Sequence, residues 1–163
     1  MNRADIYEIY AAIGDATPLK TDCGGLCGAA CCLPDADGQG GVALLPGEAE
    51  RIGQANWAPI ERDEAMDAPM LVCSGPCARE KRPFLCRVFP LCPVIGKDGS
   101  WTVRMDARAR AVCPLAGSGL RALDPDFVRG AALAARLLAE DPEGEAFLER
   151  WASIEAEFRK PLF

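Results

Sequence analysis

The chain has 163 residues, half of them hydrophobic but only 7% aromatic, with 16 glycines and 13 prolines; that size buries an ordinary core, and that composition points to helices around an irregular, loop-rich middle. A formal charge of −6 is the wrong sign for general binding to phosphate backbones, so no nucleic-acid partner is expected. Histidine is absent while cysteine occurs nine times, which excludes mixed Cys/His zinc sites and histidine-activated nucleophiles and leaves sulfur, carboxylate and backbone as the chemical repertoire.

In chain order, Ile6, Ile9, Tyr10 and Ile13 recur at helical spacing ahead of Gly14, predicting a short first helix. The opening MNRADIYEIYAAIGD lacks the apolar core of a secretion signal, and no apolar run is long enough to span a bilayer; a cytoplasmic protein without membrane association is expected. In that reducing compartment an odd number of cysteines argues for metal binding over a disulfide framework. Thr17-Pro18 then turns into CGGLCGAACC, residues 23–32, where Cys23, Cys27, Cys31 and Cys32 are separated almost only by glycine and alanine. Such a segment contributes little core; it concentrates thiols, whose thiolates are soft ligands that select zinc, copper(I) or iron–sulfur clusters. Cys23, Cys27 and Cys31 share one face if the segment is helical. Gly24-Gly25 favours instead a loop entering a helical turn, with the adjacent Cys31 and Cys32 pointing in different directions.

Residues 34–41 read as a surface loop. Asp35, Asp37 and Gly38 begin like a calcium loop, but Val42, Ala43 and Leu44 stand where later ligands belong, so the stretch is a turn. A strand is expected over 41–45, then a helix from Pro46 with Glu48 and Glu50 in its first turns. Trp57 and Ile60 read as packing residues, and 61–67 as an acidic, solvent-facing stretch. The second cysteine region is MLVCSGPCAREKRPFLCRVFPLC, residues 70–92. Its Ser74-Gly75-Pro76 turn brings Cys73 and Cys77 side by side, Pro83 starts a short helix carrying Cys86, and Pro90 stops it. Arg79, Lys81, Arg82 and Arg87 are either a solvated charged loop or donors that offset thiolate charge. Arg87, directly after Cys86, is the candidate cofactor-contacting residue.

A hairpin follows, with Val94-Ile95-Gly96 and Trp101-Thr102-Val103 flanking Lys97-Asp98-Gly99. If its second strand ran on, the two-residue period would put Cys113 on the apolar face; a helix from Asp106 is the alternative. Asp124-Pro125 and Asp141-Pro142 each signal a helix start. Phe127, Ala131, Ala134 and Leu138 form the first buried stripe, and Phe147, Trp151, Ile154 and Phe158 the second, which ends near Lys160-Pro161. The expected fold is α+β in one domain over residues 1–163. An irregular cysteine-rich metal-binding core with short strands, at 20–116, is covered by a C-terminal helical hairpin at 124–160.

Across about residues 20–115, the cysteine cluster 23–32 together with RPFLCRVFP, residues 82–90, resembles the bacterial YkgJ-like family, described as zinc- or iron-chelating proteins with a CxxCxxCC signature. The first cluster here reads CxxxCxxxCC instead. The resemblance implies a metal-binding set of Cys23, Cys27, Cys31, Cys32, Cys73, Cys77, Cys86 and Cys113, with Cys92 extra. Flagellin lysine methylases share a related cysteine module, but no glycine-rich strand-to-helix turn is present for a nucleotide-like methyl donor.

No CxxC pair occurs anywhere, which weighs against zinc ribbons and knuckles and towards a [4Fe–4S]-type iron–sulfur cluster, with zinc in one or two sites as the alternative cofactor. The leading expectation is a metal-binding protein serving electron transfer, metal handling or assembly of a protein partner. A structural zinc module presenting an interaction surface is the second reading. A protein-modifying enzyme of the lysine methylase type is the third, with Asp106 and Arg104 its only polar candidates beside the cysteines. A thiol redox switch through Cys31 or Cys32 is the fourth.

Overall fold

The computed structural model describes residues 3–34, 40–52 and 58–160. Among them six α-helices and five short strands alternate, the strands forming one three-stranded and one two-stranded antiparallel sheet. Helix α1 (Arg3–Ile13) buries Ile6, Ile9, Tyr10 and Ile13, the face its sequence spacing predicts. Opposite it lies α5 (Pro125–Leu138), which buries Phe127, Ala131, Ala134, Ala135 and Leu138. The two helices approach closely enough at Gly130 that a Cβ there would stand 2.7 Å from the Ala12 carbonyl oxygen. Asp124 caps α5 by accepting from the Asp126 and Phe127 N–H groups, and Asp141 caps α6 (Pro142–Glu157) by accepting from Glu143 and Gly144. Both caps precede a proline whose fixed φ suits the first helical turn.

Helix α6 packs Phe147, Leu148 and Trp151 against a ribbon of β4 (Leu91–Ile95) and β5 (Trp101–Met105), in which Cys92 pairs with Arg104. Its expected aromatic stripe fades at the C-terminal end. Phe158 is 60% exposed, and the fully buried position there is Glu155, an acid that can go under because cations meet it, as described below. The hairpin of α5 and α6 lies on α1 and, within the region 20–116 that the sequence expects it to cover, on the ribbon.

The other sheet has the order β1-β3-β2, with β1 (Gly41–Ala43) and β2 (Ile60–Asp63) flanking β3 (Ala68–Val72). Strand β1 stops two residues short of its expected end, and Leu44 and Leu45 are buried beyond it. Ile60, expected to pack, sits on the edge strand β2 and is 39% exposed. Trp57 and the aspartates of the calcium-like turn, Asp35 and Asp37, lie outside the described residues. The helix expected from Pro46 is α3 (Glu48–Ile52), and the one expected after Pro83 is α4 (Phe84–Val88). Past Met105 the strand does not continue. Asp106 accepts from the Arg108 N–H and starts a 3-10 turn over Ala107–Ala111, the helical alternative, which leaves Cys113 half-buried as the residue that opens the next turn. No helix among the described residues is long and apolar enough to cross a membrane.

Candidate thiol site

Residues 23–32 fold as two short turns rather than one helix. Helix α2 (Gly24–Cys27) ends at Gly28, with φ 62°, and Ala29 follows at φ 54° before a 3-10 turn over Ala30–Cys32. Glycine enters the left-handed region freely; alanine does so at a cost of roughly 1 kcal/mol. Neither turn buries any residue. After the break the Cys31 thiol lies against that of Cys32, to which it hydrogen-bonds. The expectation that these neighbours face apart is therefore corrected. Cys27 Sγ donates to the Cys23 carbonyl at 3.8 Å.

Sulfurs from distant segments are neighbours. Cys23 feels Cys113 and Cys27; Cys31 feels Cys27 and Cys86; Cys86 in turn feels Cys73, Cys32 and Cys77. Cys23, Cys27, Cys31, Cys32, Cys86 and Cys113 line a single cavity of about 350 Å³. Cys92 stands apart, fully buried on β4 of the ribbon, its thiol pushed up to about 12 by burial and then by the charges of Asp106 and Glu155. All nine cysteines are free. Among the described residues no group of three or more Cys, Asp or Glu side chains is already arranged to hold a metal ion, so the thiols share a cavity without forming a closed coordination sphere.

The pair at 31–32 divides its protons unequally. Cys31 donates its S–H, which together with burial pushes its own thiol up. The accepted hydrogen bond, reinforced by the charge of Arg82, brings Cys32 down to about 6 against the opposing effects of burial and Asp22. Cys86 is pushed well up by burial and by its thiol neighbours.

Three of the four basic residues of 79–87 turn inward instead of forming a solvated loop. Arg79, Arg82 and Arg87 all line the thiol cavity, and none forms a salt bridge with a described carboxylate. Arg79 Nη2 donates to the carbonyls of Ala16 (2.7 Å) and Gly14 (3.4 Å), while its buried Nε has no hydrogen-bond partner among the described residues. Arg87, the guanidinium singled out from the sequence, is buried and spends its Nε and Nη2 on the carbonyls of Arg82 (3.2 Å), Arg79 (3.0 Å) and Glu80 (3.4 Å). The cation that acts on the sulfurs is Arg82, which helps lower Cys32, partly offsets the rise that burial imposes on Cys23 and Cys77, and donates its Nε to the Cys77 carbonyl at 3.4 Å. Sequence signalled its charge; only the fold distinguishes it from Arg87.

Arg104 and Asp106, the polar candidates for an enzyme, are both in ion pairs. Arg104 joins Glu155, and Asp106 accepts from Arg108 Nε (3.0 Å) and Nη2 (2.7 Å). As a donor set the cavity is soft sulfur ringed by guanidinium, which suits a thiolate-held metal or cluster whose net charge is negative. Comparison of the chain with protein-family models, with curated proteins and with solved structures gives no significant match in any of the three.

Proposed function

We propose that the protein binds an iron–sulfur cluster or zinc through cysteine thiolates and uses it in electron transfer or metal handling. The observation that carries this reading is the meeting of the thiols of residues 23–32 with those of Cys86 and Cys113 at one cavity that three arginines without carboxylate salt bridges also line. Asp22 and Asp63 share the wall with these guanidiniums, and a centre held by four thiolates adds the negative charge that faces them directly. Binding asks the sulfurs to close in, since no three of them are already arranged around one point among the described residues. The two turns of 23–32 bury no residue, so they adjust without disturbing the core. The resemblance of the cysteine pattern to the YkgJ-like family points the same way. Leu26 and Leu33, 65% and 55% exposed, bracket the thiols and offer an apolar contact to a protein partner.

Purification with and without oxygen, followed by metal and acid-labile sulfide analysis and visible spectra, tests the reading. Iron with sulfide and a broad visible absorption supports the cluster; stoichiometric zinc without colour supports the alternative centre; protein free of both under every condition would sink the proposal. Substitution sharpens it. Cys32→Ser and Cys86→Ser should each lose most of the bound metal, whereas Cys92→Ser, outside the cavity, should keep it.

A further inference from the structure

Between Tyr10 and Arg87 lies a polar cluster that the metal-binding reading leaves unexplained. Glu48, with no exposed surface, accepts from the Tyr10 hydroxyl, the Phe84 N–H (2.7 Å) and the Leu45 N–H (2.7 Å). The Tyr10 ring carries two guanidiniums, with Arg51 3.7 Å and Arg87 4.8 Å from its centroid. Buried polar clusters are expensive, and the folding of α1 onto α3 needs no charge at all. The direction in which this one acts is visible in its outer contacts. The Tyr10 hydroxyl reaches the Arg82 carbonyl at 3.3 Å, and Arg87 Nε donates to that same oxygen at 3.2 Å while its Nη2 holds Arg79 and Glu80. The backbone of Arg82 is thus clamped from two sides by groups that α1, α3 and α4 supply.

We infer that Arg82 is the charge-compensating cation of the thiol centre and that the buried Glu48–Tyr10–Arg87 cluster is the device that aims it. This rests on the thiol-centre reading for its purpose, but the aim itself is a property of the protein alone. Arg82 is the one of the three inward arginines whose side chain approaches cysteine backbone, through Nε to the Cys77 carbonyl at 3.4 Å, and it shares the cavity wall with thiols contributed by both cysteine regions. Arg87 and Tyr10 act through it and are positioning residues.

The test compares alkylation of the full-length, reduced chain by iodoacetate and by iodoacetamide at one pH. Both reagents attack the thiolate, so the thiolate fraction cancels in the ratio of their rates, and what remains is the potential that the anionic reagent meets. The ratio for the denatured chain sets the baseline. The wild-type ratio should exceed that baseline, and Arg82→Met should lower it by roughly threefold or more. Arg82→Lys should retain most of it, because the charge survives. Tyr10→Phe, which alters no formal charge and is not in the cavity wall, should move the ratio part of the way in the same direction, with circular dichroism and the melting curve showing the fold intact. A wild-type ratio no higher than baseline, or an unchanged ratio in Arg82→Met, would overturn the assignment of the cation. A Tyr10→Phe ratio equal to wild type while Arg82→Met falls would overturn the clamp. Absence of metal from the purified protein defeats the thiol-centre reading through a separate measurement and leaves these rates as they are.

Discussion

Two buried glutamates show how differently the same carboxylate can be held. Glu48 engages both oxygens, Oε1 with Tyr10 and the Phe84 N–H and Oε2 with the Leu45 N–H. Glu48→Gln turns one of those acceptors into an NH₂ facing a donor, so a loss of about 2 kcal/mol is expected in denaturant unfolding; a loss below about 0.5 kcal/mol would mean the cluster is not closed as described. Burial pushes the Glu48 carboxyl up despite its three donors and Arg51, so its contribution is full below the ordinary glutamate value and declines as pH rises through the raised one. Glu155 has the opposite sign. Burial pushes it up as well, but hydrogen bonds from Arg159, Arg104 and the Ala107 N–H outweigh that and hold it below the ordinary value. Its contribution is therefore complete above the ordinary glutamate range and is lost as pH falls through the lowered value. Unfolding midpoints followed from pH 7 to about pH 3 should drop less steeply on the acid side in Glu155→Gln than in wild type. An identical acid limb in both would remove Glu155 from the account.

At the scale of elements, the close contact of α5 with α1 fixes the sign of a substitution that propensity alone gets wrong. Alanine is favoured over glycine in a helix interior by about 1 kcal/mol. At Gly130, however, a Cβ meets the Ala12 carbonyl oxygen at 2.7 Å and Ile13 Cα at 3.2 Å, both of them backbone atoms of α1 or its end. Neither can rotate away, so Gly130→Ala should lower stability by about 1–3 kcal/mol, read as a lower melting temperature. A rise in melting temperature would show that α1 and α5 lie further apart. The same elements show what was legible beforehand. Helices α1, α5 and α6 announced themselves because each combines a 3.6-residue apolar period with an end signal, Gly14, Asp124-Pro125 or Asp141-Pro142. Strands β2 and β3 did not, since IERD and APMLV lack the alternation that marks a half-buried strand. The thiols were legible as residues and as clusters. Their partner cation was not, because Arg82 and Arg87 differ only in what α1 and α3 bring up against them.

Taken as a whole, the molecule keeps most of its cysteines out of its core, although Ala43, Met66 and Trp151 of that core also wall the thiol cavity. The main core draws on α1, α4, α5, α6 and the ribbon, with Phe84, Phe127, Phe147 and Leu138 fully buried, and a smaller cluster of Leu44, Ala58 and Leu71 lies with the three-stranded sheet. Of the nine cysteines only Cys92 belongs to that core, and the segment 23–32 contributes nothing to it. A structural zinc module would behave otherwise, since its metal free energy is its folding free energy and chelation unfolds it. Here the core draws on no residue of 23–32, so on the reading proposed above stripping the metal should loosen residues 22–33 and leave the helices closed. Hydrogen exchange before and after chelation checks this: protection should fall around α2 and the following 3-10 turn, while amides of α5 and α6 exchange within about threefold of their former rates. Collapse of protection in α5 and α6 on chelation would instead make the metal the keystone of the fold, and the interaction-module reading would then displace the one favoured above.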